Sequence, residues 1–438
     1  MRADLRARVE RWQGEPPTAG HSLEADTAAL SAYTEHGEEL LAALPARRDR
    51  DDAEQHLADR VHAACRAARD RFVGWHVDAV HAVLTDGRSV HRGVAELAAD
   101  AAEAFPGLVP TSAQLAAERA LPQRDKEGRE IDQGIFFRGL LRSPSAGPHL
   151  LESMRRPTAR AIELLPRLRS EGGLDLGPVA LRCDAGVARL TMQNLHCLNA
   201  EDDRQVAAME TAVDLALLHD DVRVLVLRGG VMTHPRYAGR RVFSAGINLR
   251  DLVAGQISFT GFLLGRELGY VSKLVHGLRL DDGTDVQRPW VAAVDTFAIG
   301  GGMQLLLVAD RVIAGADAWF SLPAAKEGIV PGAANLRLAR LTGARLARRI
   351  ILGGRRIHAR DPDAGLVCDD VVPPEEVGST AERASAELGS AAVLANRRML
   401  NLAEEPTDGL RAYLAEFAYV QACRLHSPDV VAKAGALG

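Results

Sequence analysis

Two glycine-bearing stretches hold the residues whose types and spacing could do chemistry: Val242-Phe-Ser-Ala-Gly-Ile-Asn-Leu249 and Ala298-Ile-Gly-Gly-Gly-Met-Gln-Leu-Leu-Leu-Val-Ala-Asp310. Ahead of the second, Val291-Ala-Ala-Val294 fits a buried strand, and after its glycines the run Leu305 to Val308 is too apolar for a surface helix. The first turn of such an interior helix offers unpaired N–H groups, backed by the positive end of the helix dipole, to whatever lies above Gly301. That place suits an anion, or an oxygen that becomes one. Glycine also serves in a plain strand-to-helix turn, so one such stretch by itself decides nothing. The pattern G-G-G-x-Q is not the G-x-G-x-x-G of a dinucleotide fold, and no long strand-helix-strand unit with a suitably spaced acid follows. Taken together, the two stretches read as a pair of backbone-donor loops.

Composition limits what such loops could serve. The chain of 438 residues has room for two or three domains, and 47% hydrophobic with 25% charged residues is ordinary for a globular protein with a large core. A formal net charge of −5 argues against nucleic acid or an anionic membrane as the main partner. The five cysteines, Cys65, Cys183, Cys197, Cys368 and Cys423, lack C-x-x-C spacing, which indicates buried or half-buried thiols and neither a disulfide framework nor a zinc site. Histidine spacing likewise indicates no metal. Met1-Arg-Ala-Asp-Leu-Arg-Ala-Arg8 has no apolar signal-peptide core, and no run is long and apolar enough to span a bilayer, so a cytoplasmic protein is expected.

The loops need a frame, and the chain changes character to supply it. Residues 1–172 read as helical: apolar positions recur at helical spacing from Leu57 to Leu84, Thr111-Ser-Ala-Gln114 has the form of a capping box, and helices are expected over 134–141 and 150–168. The linker composition of Glu171-Gly-Gly-Leu-Asp-Leu-Gly-Pro178 marks a boundary, giving domains 1–172 and 173–438. Beyond it, Val179–Cys183 and Val187–Met192 read as a hairpin, 205–218 as a helix, 222–227 as a buried strand, 311–314 and 319–322 as strands, and 336–352 as a helix. This order indicates an α/β core. Arg345, Arg348, Arg349, Arg355 and Arg356 could meet phosphates, although a solvated helix face is the better reading.

From about Val179 onward the sequence resembles the crotonase (enoyl-CoA hydratase/isomerase) superfamily. The resemblance rests on Phe243-Ser-Ala-Gly-Ile-Asn-Leu249, on Ile299-Gly-Gly-Gly-Met-Gln304 with Ala309-Asp310, and on Gly328-Ile-Val-Pro-Gly332 after Phe320-Ser-Leu-Pro323. It implies an α/β crotonase fold with a repeated ββα core, here behind an all-helical N-terminal domain. It also implies an acyl-CoA thioester whose carbonyl oxygen lies between two backbone N–H groups, which map to Ile247 and Gly301. Such donors acidify the adjacent carbon by stabilising the enolate. Hydratases of this superfamily carry two glutamates where this chain has Gln304 and Ala324, so water addition by two carboxylates is not expected. Glutamine cannot shuttle a proton at neutral pH.

Longer stretches, among them Leu198-Asn-Ala-Glu-Asp202, Arg228-Gly-Gly-Val-Met-Thr-His-Pro-Arg-Tyr237, Arg266-Glu-Leu-Gly-Tyr270 and Leu394-Ala-Asn-Arg-Arg-Met-Leu-Asn401, resemble an atypical branch of cofactor-free aryl-acetyl-CoA dioxygenases. That resemblance implies oxidation of 3,5-dihydroxyphenylacetyl-CoA by O2 to 3,5-dihydroxyphenylglyoxylate and CoA, with no metal or other cofactor, in a homotrimer or homohexamer. It assigns Ile247, Gly301 and Gln304 to catalysis, and Glu201, Arg266, Ala245, Gly246, Gly302 and His234 to substrate binding. In isolation Glu201 would read as a helix N-terminal acid and Arg266 as a surface residue. The base that takes the Cα proton stays open between His234 and Glu201. Glu327 is expected to be structural or solvent-facing, and Leu305, Ile329 and Val330 are candidates to line a small apolar oxygen pocket. Alternatives are hydrolysis or isomerisation of an aryl-acyl-CoA, or CoA binding without catalysis.

Overall fold

The computed structural model describes residues 2–18 and 20–430. Helices occupy the chain up to Glu171, and the first strand begins at Gly173, after Gly172 ends the last of those helices with a left-handed φ of 70°. The longest is Asp52–Leu84, opened by a capping box between Asp51 and Glu54. Thr111 and Gln114 form the expected box, with the Thr111 hydroxyl accepting from Gln114 N at 3.2 Å and the Gln114 side chain accepting from Thr111 N at 2.9 Å. One helical expectation is corrected: 150–168 is not one helix. It falls in two, Ala146–Met154 and Ala159–Glu171, because Pro157 cannot continue a helix and Thr158 caps a new one.

The α/β part is built on a seven-stranded sheet with spatial order Gly173–Asp175, Val179–Asp184, Val187–Met192, Val224–Gly229, Trp290–Val294, Arg311–Gly315 and Asp370–Val372. The first three strands are antiparallel, the hairpin closing as Val179↔Met192 through Asp184↔Val187, and the rest run parallel. Trp290–Val294 is buried throughout, as a strand covered on both faces must be. Helix Val377–Leu388 covers one face through Val377, Ala381 and Ala384 against Val224, Val291 and Ile313. After Val294 the chain turns through Asp295-Thr296 into a smaller sheet of Ile357–His358, Trp319–Ser321 and Phe297–Ile299. It is the end of this last strand that delivers the three glycines.

One continuous apolar core runs from the N-terminal helices into the α/β part. The long C-terminal helix Thr407–Leu425 lies against Glu130–Arg142, and Gly134 is what lets them approach, since a Cβ there would stand 2.9 Å from the Ala422 Cβ. The apolar faces of the N-terminal helices are thus covered within the chain itself. Among the described residues, no helix is long and apolar enough to cross a membrane.

Candidate active site

Three segments from distant parts of the sequence lie side by side. Glu201 N donates to Gly246 O at 2.7 Å and Asn248 N to Glu201 O at 2.8 Å, a single parallel bridge between Glu201 and Ile247. A second bridge joins Ser244 to Ala298, with Ile299 N donating to Ser244 O at 2.9 Å. Between the two bridges Gly246, at φ 86°, turns the backbone from one neighbour to the other. Its Cα packs on Gly300, where a Cβ would lie 3.3 Å from the Gly246 Cα and 4.0 Å from Ile247 N.

This stitching uses the amides of Glu201, Ser244, Asn248, Ile299 and Gly300. Among the described residues, no acceptor bonds the N–H of Ile247 or of Gly301. The first two expected catalytic positions are therefore brought to one place with free donors. The helix behind Gly301 is shorter than expected, only Gly301–Leu306, because Leu307 turns the chain toward the strand Arg311–Gly315. The site accordingly relies on the aim of its N–H groups more than on a long helix dipole. Gly302 packs on Ser244, where a Cβ would come within 2.6 Å of the Ser244 Cβ. Ala245 is half-buried, its N–H held by Leu198 O at 3.1 Å.

Glu201 and Arg266 are buried and meet there. Arg266 donates to Glu201 Oε1 through Nε at 3.2 Å and Nη2 at 3.1 Å, and Tyr270 Oη donates to the same oxygen at 3.0 Å. The remaining Arg266 bonds go to Gly301 O at 2.9 Å, Glu267 Oε1 at 2.8 Å and Gln304 Oε1 at 2.8 Å. Burial works against the guanidinium, but the Glu201 carboxylate and then that of Glu267 hold its pKa above the ordinary value. Burial first, and then the Glu201 charge, push the Tyr270 phenol well up, so it stays a neutral donor. Glu201 Oε2 has no donor among the described residues and lies over Gly301. The helix N-cap nearby is Asp202, so Glu201 is not the helix-start acid that isolation would suggest.

These residues border a cavity of about 50 Å³, lined by Glu201, Ile247, Gly301, Gln304, Ile329 and Val330 and by Phe262, Leu263 and Phe417. Phe262 and Leu263 belong to a π-helical turn, Phe259–Leu263, and Phe417 to the C-terminal helix. That helix also clamps the loop 328–332: Val330 N donates to Gln421 Oε1 at 2.8 Å, Tyr413 Oη to Gly332 O at 2.6 Å and Arg424 Nε to Gly328 O at 2.6 Å. A larger cleft of about 800 Å³ lies beyond the other end of Gly301–Leu306, beside helix Ala391–Glu404, and touches none of the expected site residues. The two free N–H groups, of Ile247 and Gly301, border the small cavity.

Several expectations are redrawn. Glu327 lines the small cavity and is not simply structural or solvent-facing. Leu305 is fully buried and lies outside it. His234 is exposed on a surface loop beside Arg236 and Tyr237 and does not reach the cavity. The five arginines disperse: Arg355 pairs with Asp363, Arg356 covers Trp319, and Arg345, Arg348 and Arg349 are exposed. Sequence reasoning missed Tyr270 and Glu267 as partners of the buried pair. The i,i+4 spacing of Arg266 and Tyr270 was the signal available.

Comparison with known proteins bears on what this geometry serves. The family model for enoyl-CoA hydratase/isomerase matches residues 182–415. The chain is 55% identical over 424 residues to a (3,5-dihydroxyphenyl)acetyl-CoA 1,2-dioxygenase of Amycolatopsis orientalis, covering 96% of this chain and 98% of that protein. In fold it is similar to an enoyl-CoA hydratase of Mycobacterium avium subsp. paratuberculosis K-10, 22% identical over 60% of this chain and 99% of that one with a TM-score of 0.50. An enoyl-CoA hydratase/isomerase of Xanthobacter autotrophicus Py2 is 25% identical over 59% and 92%, also at 0.50. Three loop motifs, two bridged donor segments and a match across more than half the chain agree: the protein belongs to the enoyl-CoA hydratase/isomerase, or crotonase, family.

Proposed function

We propose that the chain is a dioxygenase that converts 3,5-dihydroxyphenylacetyl-CoA and O2 to 3,5-dihydroxyphenylglyoxylate and CoA without metal or organic cofactor. The observation that carries this reading is the full-length likeness to the Amycolatopsis dioxygenase, which extends through the helical N-terminal region as well as the crotonase core. The free amides of Ile247 and Gly301 support the first step: they hold the thioester oxygen as the Cα–H ionises and the charge moves onto it. The electron-rich enolate then reduces O2 by one electron, and recombination gives a Cα peroxide. Its terminal oxygen attacks the thioester carbonyl and expels CoA. In this sequence the substrate is itself the reductant, so the chemistry calls for no metal or flavin.

Glu201 Oε2, unclaimed and backed by Arg266, suits one ring hydroxyl, and the Gln304 amide, its oxygen held by Arg266, leaves its NH2 for the reacting end. Ala245, Gly246 and Gly302 bring backbone close to the thioester. Phe262, Leu263 and Phe417 add apolar walls, the surroundings that favour an enolate meeting oxygen before a proton. The division into a helical domain, 1–172, and a catalytic domain, 173–438, a cytoplasmic location and a trimeric or hexameric assembly belong to the same proposal. Exposed Met399, Leu400 and Leu402 on helix Ala391–Glu404 support burial of that face against a neighbouring copy. Metal-stripped protein incubated with the thioester under argon should give no oxo acid, and air should restore it. Turnover that requires added iron would defeat the cofactor-free reading.

A further inference from the structure

The proposed reaction begins by removing a Cα proton, and neither Ile247 N–H nor Gly301 N–H can accept it. A base must reach Cα from the cavity wall, and three carboxylates line that wall: Glu201, Glu267 and Glu327. Arg266 engages the first two, and Glu267 Oε2 in addition accepts from Ala333 N at 3.0 Å. Glu327 differs. Among the described residues, no cation and no hydrogen-bond donor is recorded at its side chain, although it is half-buried. The cations nearest in sequence or packing are engaged elsewhere, Lys326 lying over Gly354 and Arg424 bonding Gly328 O and Asp429. Glu327 ends the one-turn helix Ala324–Glu327, three residues after Ala324, and both side chains face the cavity as i,i+3 neighbours. Gly328, at φ 87°, turns the chain sharply so that Ile329 and Val330 follow along the same wall.

We propose that Glu327 is the catalytic base that removes the Cα proton in the reaction proposed above. The inference rests on that reading for the identity of the substrate. The Cα–H bond breaks, its proton goes to a Glu327 oxygen, and its electron pair enters the enolate whose oxygen meets Ile247 and Gly301 N–H. When the peroxide has attacked the carbonyl, the Glu327 proton passes to the departing CoA thiolate. The regenerated carboxylate takes the second Cα proton as the O–O bond cleaves to the oxo acid. The two Cα hydrogens thus end on the thiol and as the proton of the product acid. Burial without a counterion raises the Glu327 pKa, the direction that makes a carboxylate a better proton acceptor near neutral pH.

The test is Cα hydrogen exchange of 3,5-dihydroxyphenylacetyl-CoA in D2O under argon, followed by mass spectrometry, with air admitted afterwards. Wild-type protein is expected to exchange Cα deuterium and then to consume O2. Glu327→Gln should slow exchange about 10²- to 10⁴-fold, the usual range for losing a general base, with anaerobic affinity for the thioester and the melting temperature unchanged. Glu327→Asp, which keeps the carboxyl, should retain measurable exchange. Exchange by Glu327→Gln within about threefold of wild type overturns the assignment. Wild-type exchange with no O2 uptake in air overturns the dioxygenase reading and leaves the base standing, whereas absence of both exchange and O2 uptake in the wild type overturns both.

Discussion

The Glu201 carboxylate lies across Gly301 so closely that a Cβ at residue 301 would stand 1.8 Å from Glu201 Oε2 and 3.2 Å from Arg266 Nη2. Residue 301, the proposed oxyanion donor, accommodates only glycine because an ion pair occupies the space above it. In the proposed reaction, binding of the ring and activation of the carbonyl would share one piece of backbone.

Gly301→Ala should separate these functions. In an ordinary helix alanine would gain about 1 kcal/mol over glycine. Here the added methyl must displace a carboxylate pinned by Arg266 and Tyr270. We expect kcat/KM for O2 uptake to fall at least a hundredfold while the melting temperature changes by a few degrees at most. Activity near wild type would mean that Glu201 does not occupy that position in the working enzyme.

At residue 247 the backbone matters and the side chain does not. Replacing the Ile247 amide with an ester, by incorporation of the matching hydroxy acid, removes only the N–H. This should cost about 10²- to 10³-fold in kcat, or about 3–4 kcal/mol, as for other oxyanion donors. Ile247→Val should stay within about threefold of wild type in the same oxygen-electrode assay.

Arg266→Met would strip the cation from buried Glu201 and leave buried Glu267 with only the more distant Arg337, at 3.8 Å. Breaking a buried pair from one side costs about 3–5 kcal/mol. Denaturant unfolding should report a loss of that order, and Arg266→Lys should not restore it, because an ammonium cannot reach Glu201, Glu267, Gln304 and Gly301 O together.

Three histidines of the N-terminal region, none of them lining the cavity, are expected to set a pH dependence. His149 Nδ1 lies 3.3 Å from His81 Nε2 and its ring stacks on His91. Burial, then the neighbouring His149 and Arg88, bring the His81 pKa from 6.5 down to about 4, and burial lowers those of His91 and His149 as well. Folding therefore favours the neutral rings, and the unfolded chain binds more protons between the two values. Stability should be full above pH 6.5 and decline as pH falls toward 4. Calorimetry of wild type and His81→Leu should show a smaller decline in the variant, and equal declines would exclude the cluster as the cause.

Much of this was legible in the sequence because the information is local. The capping box at Thr111, the hairpin at Val179–Asp184 and Val187–Met192, and the two glycine loops each announce themselves within a few residues. The break at Pro157 was legible too, but the apolar spacing continues across it from Leu150 to Leu168 and conceals it. What could not be read is long-range. Nothing near Glu327 in the sequence says that Phe417 of the C-terminal helix and Phe262 of a π-helical turn would line the same cavity. Nor could local pattern foretell that Tyr270 and Arg266 share one oxygen of Glu201.

Turnover of 3,5-dihydroxyphenylacetyl-CoA under ¹⁸O2, with the product trapped by borohydride and weighed by mass spectrometry, tests the central claim most directly. The account predicts one labelled atom at the former Cα and one in the carboxyl group, with stoichiometric release of CoA. Unlabelled 3,5-dihydroxyphenylacetate, the product of simple hydrolysis, would contradict it.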